Sequence, residues 1–90
     1  MIKTNEMEPL LIVEDKSELR AMLRKALERA GYEVDEAPDG TAAIQKVRAR
    51  RYLLVITDLK MPGASGLDVL RETKLADSTI PVLLLTAFGS

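Results

Sequence analysis

The sequence predicts an α/β domain built on a parallel sheet with helices on both faces. Three observations carry this. Short apolar runs at residues 10–13, 53–57 and 80–86 alternate with stretches of helical periodicity, giving the order β-α-β-α-β-α-β. Alternation of that kind implies right-handed crossovers between parallel strands. The runs are also continuous instead of alternating with polar residues, as expected of strands covered on both faces. Finally, two of the runs stop at acids, Glu14-Asp15 and Asp58, and the carboxyl ends of strands are where open parallel sheets bind ligands.

Residues 1–8 are polar and aperiodic and read as a loose tail preceding a domain over residues 9–90. Leu10-Leu11-Ile12-Val13 is the first strand. From Ser17, a plausible N-cap, Leu19, Met22, Leu23, Ala26, Leu27 and Ala30 fall at helical spacing. Glu18, Arg20, Arg24, Lys25, Glu28 and Arg29 lie largely on the other side, and Gly31 suits the left-handed residue after a helix end. Residues 32–37 alternate and read as a half-exposed strand near a sheet edge. Asp39 is the expected cap of a second helix over residues 40–50, buried through Ala43, Ile44 and Val47. Arg48, Arg50 and Arg51 cluster at its end, where cations are favoured.

Leu53-Leu54-Val55-Ile56-Thr57 forms the central strand and delivers Asp58 to its end, and Met61-Pro62-Gly63 turns the chain. Ser65 and Asp68 resemble a capping box for a third helix over residues 65–75, with Leu67 and Leu70 facing inward. After a turn at Asp77-Ser78, residues 80–86 are the fourth strand. Pro81 belongs at its start, where no ladder bond is lost.

Composition narrows the function classes. Ninety residues make one small domain, which buries only about 60–65% of the surface its unfolded chain exposes. The chain is 47% hydrophobic with one Phe, two Tyr and no Trp, so its core is aliphatic. A net charge of −1 gives no support for contacts with nucleic acid or a membrane surface. The absence of Cys removes disulfides and thiolate metal sites. No apolar run approaches the roughly 20 residues of a membrane helix, and no signal-peptide pattern precedes the first strand. The expected setting is the cytoplasm.

If the first and third strands are neighbours, Glu14, Asp15 and Asp58 meet at one rim of the sheet. Crowded like charges raise one another's pKa and destabilise the fold unless a cation joins them. A few oxygen ligands with room for water suit Mg²⁺ better than zinc, and the chain has no His or Cys. A carboxylate not consumed by the metal is a nucleophile toward phosphorus, the chemistry of an aspartyl phosphate. Thr86 brings a hydroxyl to the same rim. Taken singly, each acid is as readily a turn former or helix cap; their convergence is the signal.

Glu14-Asp15 after an apolar strand, Asp58-Leu59-Lys60-Met61-Pro62-Gly63-Ala64-Ser65-Gly66, Leu83-Leu84-Leu85-Thr86-Ala87, and Ala37-Pro38-Asp39-Gly40 before the second helix together resemble the receiver domain of two-component response regulators. The likeness covers the chain from about Pro9 onward. Phe88-Gly89-Ser90 is most similar to receivers of the transcriptional-activator ATPase class. The resemblance implies a flavodoxin-like (CheY-like) fold in the strand order 2-1-3-4-5. It implies that Asp58 accepts a phosphoryl group from a sensor histidine kinase. Asp15 would ligate Mg²⁺ directly, Glu14 through water, and Asp58 and the backbone carbonyl of Lys60 would complete the site. Thr86 would be the switch hydroxyl, and Met61-Pro62 and Gly66 would shape the loop that the donor approaches. A protein of this kind is a signalling module and not a turnover enzyme.

The sequence stops after the fourth strand, where the family continues through a fourth helix, a fifth strand and a fifth helix. An active-site lysine and an aromatic switch residue lie in that remainder. The expectations that follow are impaired phosphorylation and an exposed apolar fourth strand that favours a homo-oligomer. Two further readings compete. A haloacid-dehalogenase-type phosphotransferase needs a second acid two residues after the nucleophile, where this chain has Lys60. A degenerate receiver would serve only for dimerisation or docking.

Overall fold

The apolar runs of the first and third strands pair directly with each other. In the computed structural model, which describes residues 8–86, the elements are β1 (Leu10–Val13), α1 (Ser17–Arg29), β2 (Val34–Ala37), α2 (Gly40–Ala49), β3 (Leu54–Asp58), α3 (Gly66–Ala76) and β4 (Val82–Leu85). The four strands form one sheet in the order β2-β1-β3-β4, with every neighbouring pair parallel. This is the expected doubly wound, flavodoxin-like arrangement, over the portion these residues contain. The expected tail at residues 1–7 and the Ala87-Phe88-Gly89-Ser90 ending lie outside the described residues.

Alternate strand residues divide between the two faces. Leu11, Val13 and Val55 are buried against Ala43 and Val47 of α2 and Val69 of α3, with Ala37, Tyr52 and Ile80 completing that core. Leu10, Ile12 and Ile56 are buried on the opposite face, the side of α1. Cover there is thinner. No residue of α1 is fully buried; Leu19, Leu23 and Leu27 are half-buried, while Met22 and Ala26 are exposed. The apolar stripe of α1 is therefore narrower than its sequence spacing predicts.

Two caps form as expected. The Asp39 side chain accepts the Ala42 N–H at 2.8 Å, and Ser65 with Asp68 forms a reciprocal capping box on α3. The expected cap of α1 differs. Its N-cap is Lys16, which makes no side-chain capping bond, and Ser17 is the first helical residue. The helix starts one residue earlier, because the Arg20 N–H already donates to the Lys16 carbonyl at 2.9 Å; the Glu14 carboxylate accepts the Lys16 N–H at 3.0 Å. Gly31 ends α1 at φ 100°, the left-handed position a Cβ disfavours.

Other expectations move by a residue or a face. Leu67 is 56% exposed, and α3 instead buries Gly66, Val69 and Thr73. Leu67 lies on the side of the helix turned away from this core. Leu53 is also exposed, and β3 begins one residue later than expected. Strand β4 is shorter than the expected 80–86 span; Pro81 precedes it, and its carbonyl accepts the Val55 N–H at 3.1 Å. Glu8, placed in the tail by its polarity, is held by Arg51 at 2.9 Å. The basic cluster is ion-paired throughout: Arg48 with Glu72, Arg50 with Asp35, and Arg51 also with Asp77. Exposed pairs of this kind contribute little individually, which agrees with a structural reading of the cluster.

Tyr52 is the one aromatic side chain that the structure buries completely, among the described residues. Its hydroxyl donates to Asp35 Oδ2 at 2.6 Å, joining the segment before β3 to the edge strand β2. Burial pushes the Tyr52 pKa up, and the Asp35 charge pushes it further. For Asp35, burial alone would raise the pKa. The Tyr52 hydroxyl, the Glu36 N–H and Lys46 outweigh burial and hold it below the usual carboxylate range. A depressed folded-state pKa stabilises the fold above the ordinary carboxylate value, and that stabilisation is lost as pH falls through the folded value. Tyr52→Phe is expected to lower stability by about 1–2 kcal/mol at neutral pH. Urea denaturation checks this, with the gap between variant and parent narrowing below about pH 4.

Candidate functional site

Parallel pairing of β1 with β3 sets Val13 opposite Thr57. The next residues, Glu14 and Asp58, therefore leave the sheet side by side. Glu14, Asp15 and Asp58 each bring a carboxylate oxygen into a group whose members lie within 4.8 Å of one another. Glu14 is buried, Asp58 half-buried and Asp15 exposed. The neighbourhood predicted from the ends of the first and third apolar runs is thus present.

Among the described residues, none of the three acids takes part in an ion pair. Burial pushes the Glu14 pKa up, and the bond from the Lys16 N–H partly offsets it. Asp15 and Asp58 then drive it further upward. A group that resists ionisation beside two more carboxylates is a site short of positive charge. The donors are all oxygen and few in number, which fits a small hard divalent cation.

Neighbouring elements fix the end of β3. The Leu59 N–H donates to Leu85 O at 2.9 Å, and Leu59 O accepts the Gly66 N–H at 3.0 Å. The first turn of α3 is pressed so closely to β3 that a Cβ on Gly66 would stand 2.4 Å from Asp58 O. Lys60 follows two residues after Asp58, exposed in the loop between β3 and α3.

Thr86 comes directly after β4 and is exposed. With Glu14, Lys16, Leu19, Asp58 and Leu85 it lines a cleft of about 260 Å³. The hydroxyl expected at the rim therefore borders the same opening as two of the acids. Lys16 and Leu19 had no place in the sequence reading of the site, although Lys16 follows Asp15 immediately. Arg20 was assigned to the solvent side of α1. Instead it is largely buried, with Nη1 donating to the Glu14 carbonyl at 2.8 Å. Helical periodicity cannot reveal a long side chain that folds back over its own N-terminal loop.

The sheet is doubly wound and parallel, with acids clustered where its first and third strands end and a threonine directly after the fourth. The chain belongs to the response regulator receiver domain family, whose model matches residues 10–90. It is 42% identical over 89 residues to the transcriptional regulatory protein ResD of Bacillus subtilis, covering 99% of this chain and 36% of that protein. Among solved structures it is similar to the response regulator TrrA of Thermotoga maritima in complex with Mg²⁺ and BeF. There the TM-score is 0.85 at 38% identity, over 92% of this chain and 72% of that one. It is also similar to a structure of histidine kinase ThkA in complex with TrrA, with a TM-score of 0.83 at 38% identity, over 93% and 72% of the two chains. The chain thus spans about a third of the length of ResD. Among the described residues, no helix is long and apolar enough to cross a membrane.

Because Gly66 abuts the Asp58 carbonyl, Gly66→Ala is expected to destabilise the fold by about 1–3 kcal/mol through overpacking. Thermal denaturation checks the size. A Gly31→Ala comparison separates crowding from strain, since Gly31 has open space around its Cβ position but a positive φ.

Proposed function

We propose that Asp58 is the phosphoacceptor of a two-component relay and that Glu14 and Asp15 hold Mg²⁺ beside it. The observation that carries this is the convergence of the three carboxylates within 4.8 Å at the end of a parallel sheet. Burial and crowding leave Glu14 short of a counter-charge, as a cation site requires. Asp15, Asp58 and the Lys60 main-chain carbonyl would be direct ligands, with Glu14 acting through water. Magnesium, when bound, would neutralise the phosphoryl oxygens.

In the reaction, an Asp58 carboxylate oxygen forms a bond to phosphorus as the bond from phosphorus to the donor's histidine nitrogen breaks. Half-burial of Asp58 leaves one side open to the donor. The Thr86 hydroxyl borders the same cleft and would donate to a phosphoryl oxygen. Main-chain bonds from Leu59 to β4 and α3 hold Asp58 in place for attack. Such a chain carries a signal and does not turn over substrate. The phosphoryl donor would be a sensor histidine kinase, by analogy with the kinase complex of TrrA, and the setting the cytoplasm.

The proposal extends to self-association of the 90-residue chain. Pro81 O and Leu85 O face β3, so by alternation the peptide groups of Val82 and Leu84 point away from it. Leu83 is 51% exposed beside them. A second copy adding its own β4 would pair those groups and cover that leucine.

Two outcomes are expected. Treatment with acetyl phosphate and Mg²⁺ should add one phosphoryl group to only part of the chain by mass spectrometry, and Asp58→Asn or removal of Mg²⁺ with EDTA should abolish it. A label retained by Asp58→Asn would overturn the assignment. In sedimentation at tens of micromolar the chain should run above its monomer mass, and Leu83→Lys should return it to monomer; a monomeric parent chain would refute the self-association.

A further inference from the structure

The loop that carries Glu14 and Asp15 is only three residues long, between the end of β1 and the start of α1. Its main chain is held from two directions. The Glu14 N–H donates to Ala37 O of the edge strand at 3.1 Å. The Glu14 carbonyl accepts from Arg20 Nη1 at 2.8 Å. The same guanidinium sends Nε to Glu36 Oε1 of β2 at 2.9 Å, and the Arg20 side chain is only 19% exposed. One planar fork therefore fastens the acidic loop to β2 from the end of the first turn of α1.

We propose that Arg20 is a positioning residue that sets the geometry of the cation site by clamping the main chain of Glu14. The inference rests on the reading of Glu14, Asp15 and Asp58 as a Mg²⁺ site and adds to it the group that holds two of those ligands. Its basis is the geometry of the guanidinium. A fork with fixed, diverging donors reaches a carbonyl and a carboxylate at once, whereas an ammonium on a flexible stem engages them less well. Groups that orient metal ligands without touching the metal affect affinity strongly.

Arg24 supplies the comparison. It also pairs with Glu36, and with Glu28 at 3.0 Å, but its partners are carboxylates only, and at 46% side-chain exposure it lies out in solvent. Losing Arg24 removes one ion pair between α1 and β2 and one within α1 without freeing the Glu14 carbonyl. A merely structural role for Arg20 would make the two arginines behave alike.

The test is a calorimetric titration of the full chain with Mg²⁺ alone, alongside urea denaturation of each variant. Arg20→Gln is expected to weaken Mg²⁺ binding by about tenfold, Arg20→Lys by less, and Arg24→Gln by no more than about twofold. If Arg20→Gln fails to fold, Arg20→Lys carries the test. Its expected result is then weaker Mg²⁺ binding than in Arg24→Gln at a comparable urea midpoint. Undiminished binding in the folded Arg20 variants would overturn the role of Arg20 and leave the metal site standing. Absence of Mg²⁺ binding in the unsubstituted chain would overturn both.

Discussion

Everything at the rim depends on the register between β1 and β3. Parallel strands side by side must release their chains at the same end, and here the release points are Glu14 and Asp58. The pairing is stabilised by apolar residues covered on both faces, and this core forces negative charges together where the strands stop. Burying Leu11, Val13 and Val55 thus creates an electrostatic conflict a few ångströms away. A packed interior does not relax easily around such a conflict. The conflict is therefore held in place, and a cation is what would relieve it.

The remaining elements hold that arrangement. The capping box on Ser65 and Asp68 fixes where α3 begins, and the absence of a Cβ at Gly66 lets that beginning rest on the strand end. On the other side of β1, the edge strand is tied in by the Tyr52–Asp35 bond and by the arginines of α1. The sheet is consequently braced on both flanks, by Arg20 and Gly66 near the three acids and by Tyr52 toward the other end of the strands. Its α1 face is less fully covered than the face beneath α2 and α3.

Much of this was legible in the residues. Continuous apolar runs gave the strands, because a two-sided sheet leaves no room for alternation. The Asp39 and Ser65 caps were readable because a short polar side chain before a helix has few other uses. The acids were readable as neighbours because strand ends share a rim. What escaped had longer-range causes. Ser17 lost the cap position of α1 because the first helical bond runs to the Lys16 carbonyl, a start point that composition alone does not reveal. Leu67 lies outward because α3 turns Val69 and Thr73 toward the core, and periodicity alone does not fix the rotation of a helix. Arg20 was misplaced because its charge suggests solvent, whereas it stands three and seven residues before Leu23 and Leu27 on the same half-buried side of α1, from which its guanidinium reaches the loop.

Leu59 shows what a single residue's backbone can do. Its N–H is fastened to β4 and its carbonyl to the first residue of α3, immediately after Asp58. It acts as a yoke between β4 and α3, which also touch each other directly. Displacement of the Asp58 backbone therefore reaches a strand and a helix through one intervening residue.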